Sequence, residues 1–206
     1  RIYPYKNVSS HIIGHVDIDQ KGQSGIERYF DADLNMSKKI FISLDINLQQ
    51  KVRENLIKTI NFYKAESGLA IVMDINTGQI LSSVSLPDYD PQNFTFNKDN
   101  LINRVFQANY EMGSTFKPIT ATMAFDLGII DSTMTFDVKK KFLNKISDFD
   151  RYKDDGIYDV EKIIVESSNI GTAQIANMIG KKNQKEFFNT IGFNKKVQLE
   201  NREAAK

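Results

Sequence analysis

The sequence has no cysteine. That removes disulfides, thiol catalysis and cysteine-type zinc sites. It has two histidines, His11 and His15, and neither lies near the stretch discussed below in sequence. A Ser-His-Asp site there would need the fold to bring one of them back. Four residues apart, the two could mimic a metal pair on a helix. Ile12, Ile13, Gly14 and Val16 around them instead predict a strand, followed by a loop, over residues 10–19, which would hold the rings too far apart, so no metal is expected. Strong net charge is also missing. The formal balance is +1, and nothing points to a nucleic-acid partner. Basic runs such as Lys139-Lys140-Lys141 read as solvated loop faces. No apolar run approaches the length of a membrane span, and no signal peptide is recognisable. There is no initial Met, so the 206 residues read as an excised piece of a longer protein. What is present is 41% apolar content, enough for one domain with a core or for one domain plus a small appendage.

The chain is organised around Tyr110-Glu111-Met112-Gly113-Ser114-Thr115-Phe116-Lys117-Pro118. Gly113 frees the turn, and Pro118 is tolerated near a helix start, where N–H groups lack partners anyway. Ile119, Met123 and Leu127 follow at helical spacing, and Gly128 is a stop. Residues three apart share a helix face, so Lys117 can reach the Ser114 hydroxyl. Serine needs a base to become a nucleophile, and a desolvated lysine can be that base. Taken alone, Ser-x-x-Lys is a common chance pair. Its neighbours give it weight.

Before it, Gly22-Gln23-Ser24-Gly25-Ile26-Glu27-Arg28-Tyr29-Phe30-Asp31 places two glycines three apart, a sign of close backbone approach. Residues 40–44 predict a short strand. Asp45 or Asn47 can cap the next helix, with Gln50 as a box-like partner of Asn47. Leu48, Val52, Leu56, Ile60 and Tyr63 form its apolar stripe, and it runs to about Lys64. From Gly68 a hairpin follows. Leu69, Ile71, Met73 and Ile75 share one face, Asn76-Thr77-Gly78 turns, and Ile80, Ser82 and Val84 return. Pro87 and Pro91 end the strand region.

Residues 88–110 read as loop, and 131–155 as an irregular surface excursion over the core. Asp159 can cap a short helix containing Val160, Ile163 and Ile164. A Ser167-Ser168-Asn169 turn separates it from a helix over 172–179 that closes at Gly180, and a last helix spans 183–190. A long helix before an antiparallel hairpin argues for an α+β layer architecture.

Four stretches carry a resemblance. Ser114-Thr115-Phe116-Lys117 followed by Ser167-Ser168-Asn169 resembles the first two active-site motifs of penicillin-recognising serine enzymes. Arg1-Ile2-Tyr3-Pro4, together with Gly22, Gly25, Glu27 and Asp31 in Gly-x-x-Gly-x-Glu-x-x-x-Asp, matches two motifs of the non-catalytic region of class B penicillin-binding proteins. The sequence departs from the family at Lys6, usually glycine, and at Met112, usually proline. The third active-site motif, Lys-Thr/Ser-Gly, is absent from these residues; Asn76-Thr77-Gly78 lacks the lysine.

The resemblance implies a partial penicillin-binding transpeptidase fold, serine β-lactamase-like. Helices would pack on an antiparallel sheet that lacks its later strands, with residues 1–40 ending a pedestal and 41–206 beginning the transpeptidase domain. It implies a serine peptidoglycan D,D-transpeptidase of cell division or elongation, on the outer face of the bacterial cytoplasmic membrane, whose anchor lies outside these residues. Its partners would be D-Ala-D-Ala stem peptides, β-lactams and other cell-wall synthesis proteins. Ser114 would be nucleophile, Lys117 base, Ser167 proton relay and Asn169 the holder of Lys117 and substrate. Ser114, Ser168 and Asn169 would line the substrate and β-lactam subsite. No cofactor is implied. Without the third motif, these residues are expected to form an incomplete enzyme, and the open sheet edge could drive self-association. Two other classes stay open: a non-catalytic cell-envelope interaction module, and a β-lactam-hydrolysing or β-lactam-sensing acyl-serine protein.

Overall fold

The structure is a computed structural model that describes residues 1–148, 156–195 and 197. It is α+β and divides into two compact units, one built from Arg1–Asn109 and one from Tyr110–Lys196.

The first unit opens with a short turn of 3-10 helix and then α1 (Ser10–Ile13), where a strand was expected. Gly14, at φ 83°, stops α1 after one turn, and its N–H donates to the Ser10 carbonyl (2.7 Å). The glycine pair of the upstream motif explains itself sterically. A Cβ on Gly22 would sit 2.0 Å from the Glu27 carbonyl oxygen, and one on Gly25, at φ 55°, 2.4 Å from that of Ile12. Only glycine permits these approaches. The motif's acids close the same knot. Asp31 Oδ1 accepts from the Gly22 N–H (2.9 Å), and buried Glu27 accepts from Arg1 Nε (3.0 Å). α2 (Gly25–Tyr29) and α3 (Asp31–Asn35) carry these residues. The histidines serve packing. His11 Nε2 lies 2.8 Å from the Asn100 carbonyl, whereas His15 Nδ1 lies 3.0 Å from Ser24 Oγ and its ring stacks on Phe94.

Residues 40–44 form no strand. Ser43 donates its hydroxyl, not its backbone N–H, to the Ile80 carbonyl (2.7 Å), so no ladder propagates. α4 (Ile46–Tyr63) is capped by Asp45, whose Oδ1 accepts from the N–H groups of Asn47 (2.9 Å) and Leu48 (3.0 Å). Gln50 bonds Glu54 instead of completing a box. Tyr63, expected in the stripe, is exposed.

The hairpin pairs β1 (Gly68–Met73) with β2 (Ile80–Leu86), antiparallel, Gly68 opposite Leu86. Gly68 meets Leu56 and Ile60 of α4, so the even-numbered residues of β1 face the helix, and Ile71 and Met73 are about half exposed. The sequence shows alternation but not which phase turns inward. Fully buried Gln49 of α4 pins helix to sheet. It donates to the Val8 and Ser83 carbonyls and accepts from Ser82 Oγ and the Ser83 N–H. α5 (Lys98–Leu101) and α6 (Arg104–Gln107) break up the stretch read as loop.

The second unit holds the Ser114 and Ser167 motifs. A 3-10 turn, Gly113–Phe116, leads into α7 (Lys117–Asp126), with Pro118 in its first turn. Gly128, at φ 63°, closes α7 as expected. The excursion at 131–155 is more ordered than expected, although 149–155 lie outside the described residues. β3 (Thr135–Asp137) pairs antiparallel with β4 (Ile157–Asp159), and Phe136 and Val138 are buried. Three-residue strands are too short to print a pattern.

Asp159 caps α8 (Val160–Val165), accepting from the Lys162 N–H at 2.7 Å. α9 (Asn169–Thr190) begins earlier than expected and kinks at Gly180 (φ 72°, ψ 158°), where a break was expected. Met123, Ala124, Ile130, Tyr158, Ile163, Ile170 and Ile175 form the core of this unit.

Candidate active site

Two stretches some fifty residues apart meet at Lys117. The lysine opens α7 directly after the 3-10 turn that carries Ser114. Phe116, between them, tilts against Phe188 and Phe193 of the same unit, which seats the turn. Lys117 is 9% exposed, and its Nζ donates to the Ser167 carbonyl and to Ser167 Oγ at 2.9 Å. Its pKa is lowered by burial, because desolvation disfavours the ammonium form; the Asp148 carboxylate pulls the other way.

The expected direct Lys117–Ser114 bond is not formed. Ser114 is exposed, and its hydroxyl has no hydrogen-bond partner among the described residues. Ser167 is half-buried at φ 55°, a left-handed conformation rare for a residue with a Cβ. Bonds from the Ser167 N–H to the Ile164 carbonyl (3.1 Å) and from the Ser168 N–H to the Ile163 carbonyl (2.9 Å) close α8 into this turn.

Ser168, expected to line the subsite, is fully buried and caps α9. Its Oγ accepts from the Gly171 N–H (2.9 Å) and donates to Asp148 Oδ2 (2.5 Å). Asn169, expected to hold Lys117, donates its amide to the Ser147 carbonyl (3.1 Å) instead. Asp148 is the participant that the sequence did not reveal. Besides Ser168 Oγ, it accepts the N–H groups of Asn169 (2.5 Å) and Ile170 (3.1 Å). It stands in a stretch read as loop, and nothing in its local pattern marks it. Among the described residues, no group of acidic or histidine side chains is arranged to hold a metal.

A buried lysine of lowered pKa, bonded to one serine and following another on a helix-entry turn, is chemically suited to activating a serine hydroxyl. Residues 68–206 match the penicillin binding protein transpeptidase domain. This chain belongs to that family.

Among members of the penicillin-binding transpeptidase family, it is 30% identical to the probable peptidoglycan D,D-transpeptidase FtsI of Caulobacter vibrioides, across 100% of this chain and 36% of that protein. The chain spans about a third of the length of the curated relatives it matches. A crystal structure of a putative peptidoglycan glycosyltransferase from Atopobium parvulum superposes with TM-score 0.84 at 27% identity, covering 100% of this chain and 52% of that one. The D,D-transpeptidase domain of a peptidoglycan glycosyltransferase from Eggerthella lenta superposes with TM-score 0.83 at 25% identity, covering 97% of this chain and 49% of that one.

Proposed function

We propose that these residues belong to a serine peptidoglycan D,D-transpeptidase acting through an acyl-serine intermediate. The observation that carries this reading is the buried Lys117, its pKa held down, bonded to Ser167 and one turn after Ser114. Ser114 Oγ attacks the carbonyl of a D-Ala-D-Ala peptide bond, and neutral Lys117 takes its proton. Ser167 passes a proton to the nitrogen of the departing D-Ala as the C–N bond breaks. An amine of a second stem peptide then attacks the ester, forms the new amide and returns the hydroxyl to Ser114. The Ser114 N–H supplies one oxyanion donor. β-Lactams acylate the same oxygen.

Ser168 serves the site from behind, by capping α9, and Asn169 meets substrate once its amide leaves Ser147. Within the same reading, residues 1–40 close a pedestal and 41–206 begin the transpeptidase domain. The whole protein acts on the outer face of the cytoplasmic membrane; among the described residues, no helix is long and apolar enough to cross one.

The test is labelling of the full-length protein with a fluorescent penicillin. The expected result is a stable adduct on Ser114 that Ser114→Ala abolishes. An adduct mapped to another serine overturns the assignment, and rapid release of hydrolysed drug would make the protein a β-lactamase instead.

A further inference from the structure

We infer that Asp148 is a positioning residue for this site, holding the Ser167-Ser168-Asn169 turn in the shape that presents Ser167 to Lys117. The inference rests on the reading of Ser114 and Lys117 given above. Its geometric basis is the number of groups that converge on one carboxylate. Asp148 Oδ2 accepts from Ser168 Oγ at 2.5 Å, and Oδ1 accepts from the backbone N–H groups of Asn169 at 2.5 Å and Ile170 at 3.1 Å. These two N–H groups are the first of α9, which have no intrahelical partner, and a carboxylate there also suits the helix dipole.

Ser167 is one residue outside this cluster, at φ 55°. A serine adopts that conformation only when its surroundings over-determine it. On the chain's N-terminal side, the α8 carbonyls of Ile163 and Ile164 hold the turn; on its C-terminal side, Asp148 does. The result is that the carbonyl and Oγ of Ser167 both receive Lys117 Nζ. Releasing Asp148 frees one wall of the turn, and both acceptors lose their aim.

Asp148 has a second effect, through charge. Among the described residues, the charge acting on Lys117 is that of Asp148, opposing burial. Of the other charged groups by the turn, Glu166 directly precedes Ser167 and Lys145 lies three residues before Asp148. The two effects separate by substitution. Asp148→Asn keeps one oxygen for the backbone N–H groups but removes both the charge and the acceptor of the Ser168 hydroxyl. Asp148→Glu keeps the charge but displaces the oxygens.

The experiment uses the full-length protein, with penicillin acylation rates measured against pH and the Lys117 titration followed by NMR of 13C-labelled lysine. For Asp148→Asn, the expected result is a high-pH plateau about 10- to 100-fold lower, with the Lys117 titration and the acid limb both moved to lower pH. For Asp148→Glu, the plateau falls similarly and the titration stays near that of the parent. A parental plateau in either variant overturns the positioning role. A lowered plateau with an unmoved titration in Asp148→Asn also overturns it, because damage to the fold alone would produce that. If Asp148→Asn does not fold, Asp148→Glu decides by its plateau and titration. If the parent itself is not acylated at Ser114, the proposed function fails, and the Lys117 titration of the variants still decides whether Asp148 acts on the lysine.

Discussion

Lys117 Nζ lies 2.9 Å from Ser167 Oγ, although the two residues are 50 apart in sequence. The bond joins the entry of α7 to the turn before α9, and it explains why a lysine is tolerated in so dry a place. Both of its acceptors belong to one serine, so the amine is satisfied as a donor without a facing carboxylate. A bond to a neutral hydroxyl leaves the neutral amine accessible, which a tight ion pair would not.

The first expectation concerns that amine. Acylation of the full-length protein rises with pH through an apparent pKa below the ordinary lysine value, since burial lowers it and only the neutral form accepts the Ser114 proton. Lys117→Arg keeps a cation that does not deprotonate, and the rate falls by about a hundredfold or more. An arginine variant acylating at the parental rate would remove Lys117 from the role of base. The same shift has a stability sign. Between the folded and ordinary pKa values the unfolded chain binds the extra proton, so stability rises with pH across that interval.

A second expectation concerns how closely α8 and α9 approach. A Cβ on Gly171 would lie 2.5 Å from Ile163 Cγ1 and 2.6 Å from Cδ1, and Ile163 is fully buried. Gly171→Ala therefore overpacks the helix contact that supports the Ser167 turn and costs about 1–3 kcal/mol. Denaturant unfolding checks this, and a midpoint equal to the parent's would show that the helices part freely.

Gly22→Ala poses a harder problem, because its Cβ would meet backbone at 2.0 Å, the Glu27 carbonyl oxygen. A backbone atom cannot rotate aside, so the cost lies at the upper end of single-residue effects, about 3 kcal/mol or more. Glu27→Gln keeps the shape and loses only the charged partner of Arg1, so it costs less. Thermal unfolding of the two variants should rank them in that order; the reverse order would mean that the motif is held by charge and not by close approach.

The legible and illegible parts of this chain differ in their physics. Ser114, Lys117 and Ser167 stood out in the sequence because the types and spacing of side chains suggest a chemistry, and the helix over 46–63 was readable because its period is long. The Asp45 and Asp159 caps were readable because capping is local. Residues 10–13 were misread because a short apolar run bounded by Gly14 has no period to distinguish strand from helix. The hairpin's inward face was not legible because Gly68, without a side chain, marks the packed face of β1. Asp148 was invisible because its partners are backbone N–H groups some twenty residues ahead, and contacts of that kind leave no sequence signature.

The last expectation takes Ser167 as a place where the fold carries strain for the sake of the site. Ser167→Ala and Ser167→Gly both remove the hydroxyl that Lys117 bonds, and both keep the carbonyl. They differ in backbone. At φ 55° an alanine retains the left-handed penalty of about 1–2 kcal/mol, whereas glycine escapes it. Against this, glycine's freer unfolded chain costs about 0.4–1 kcal/mol. The left-handed penalty outweighs that entropy, so Ser167→Gly should be the more stable of the two by roughly 0.5–1 kcal/mol. Both should acylate slowly, because the relay hydroxyl is gone in each. Paired unfolding and acylation measurements on the two variants decide it. Equal stabilities would mean that the turn is relaxed. If glycine alone retained fast acylation, backbone shape and not the hydroxyl would be what Ser167 contributes.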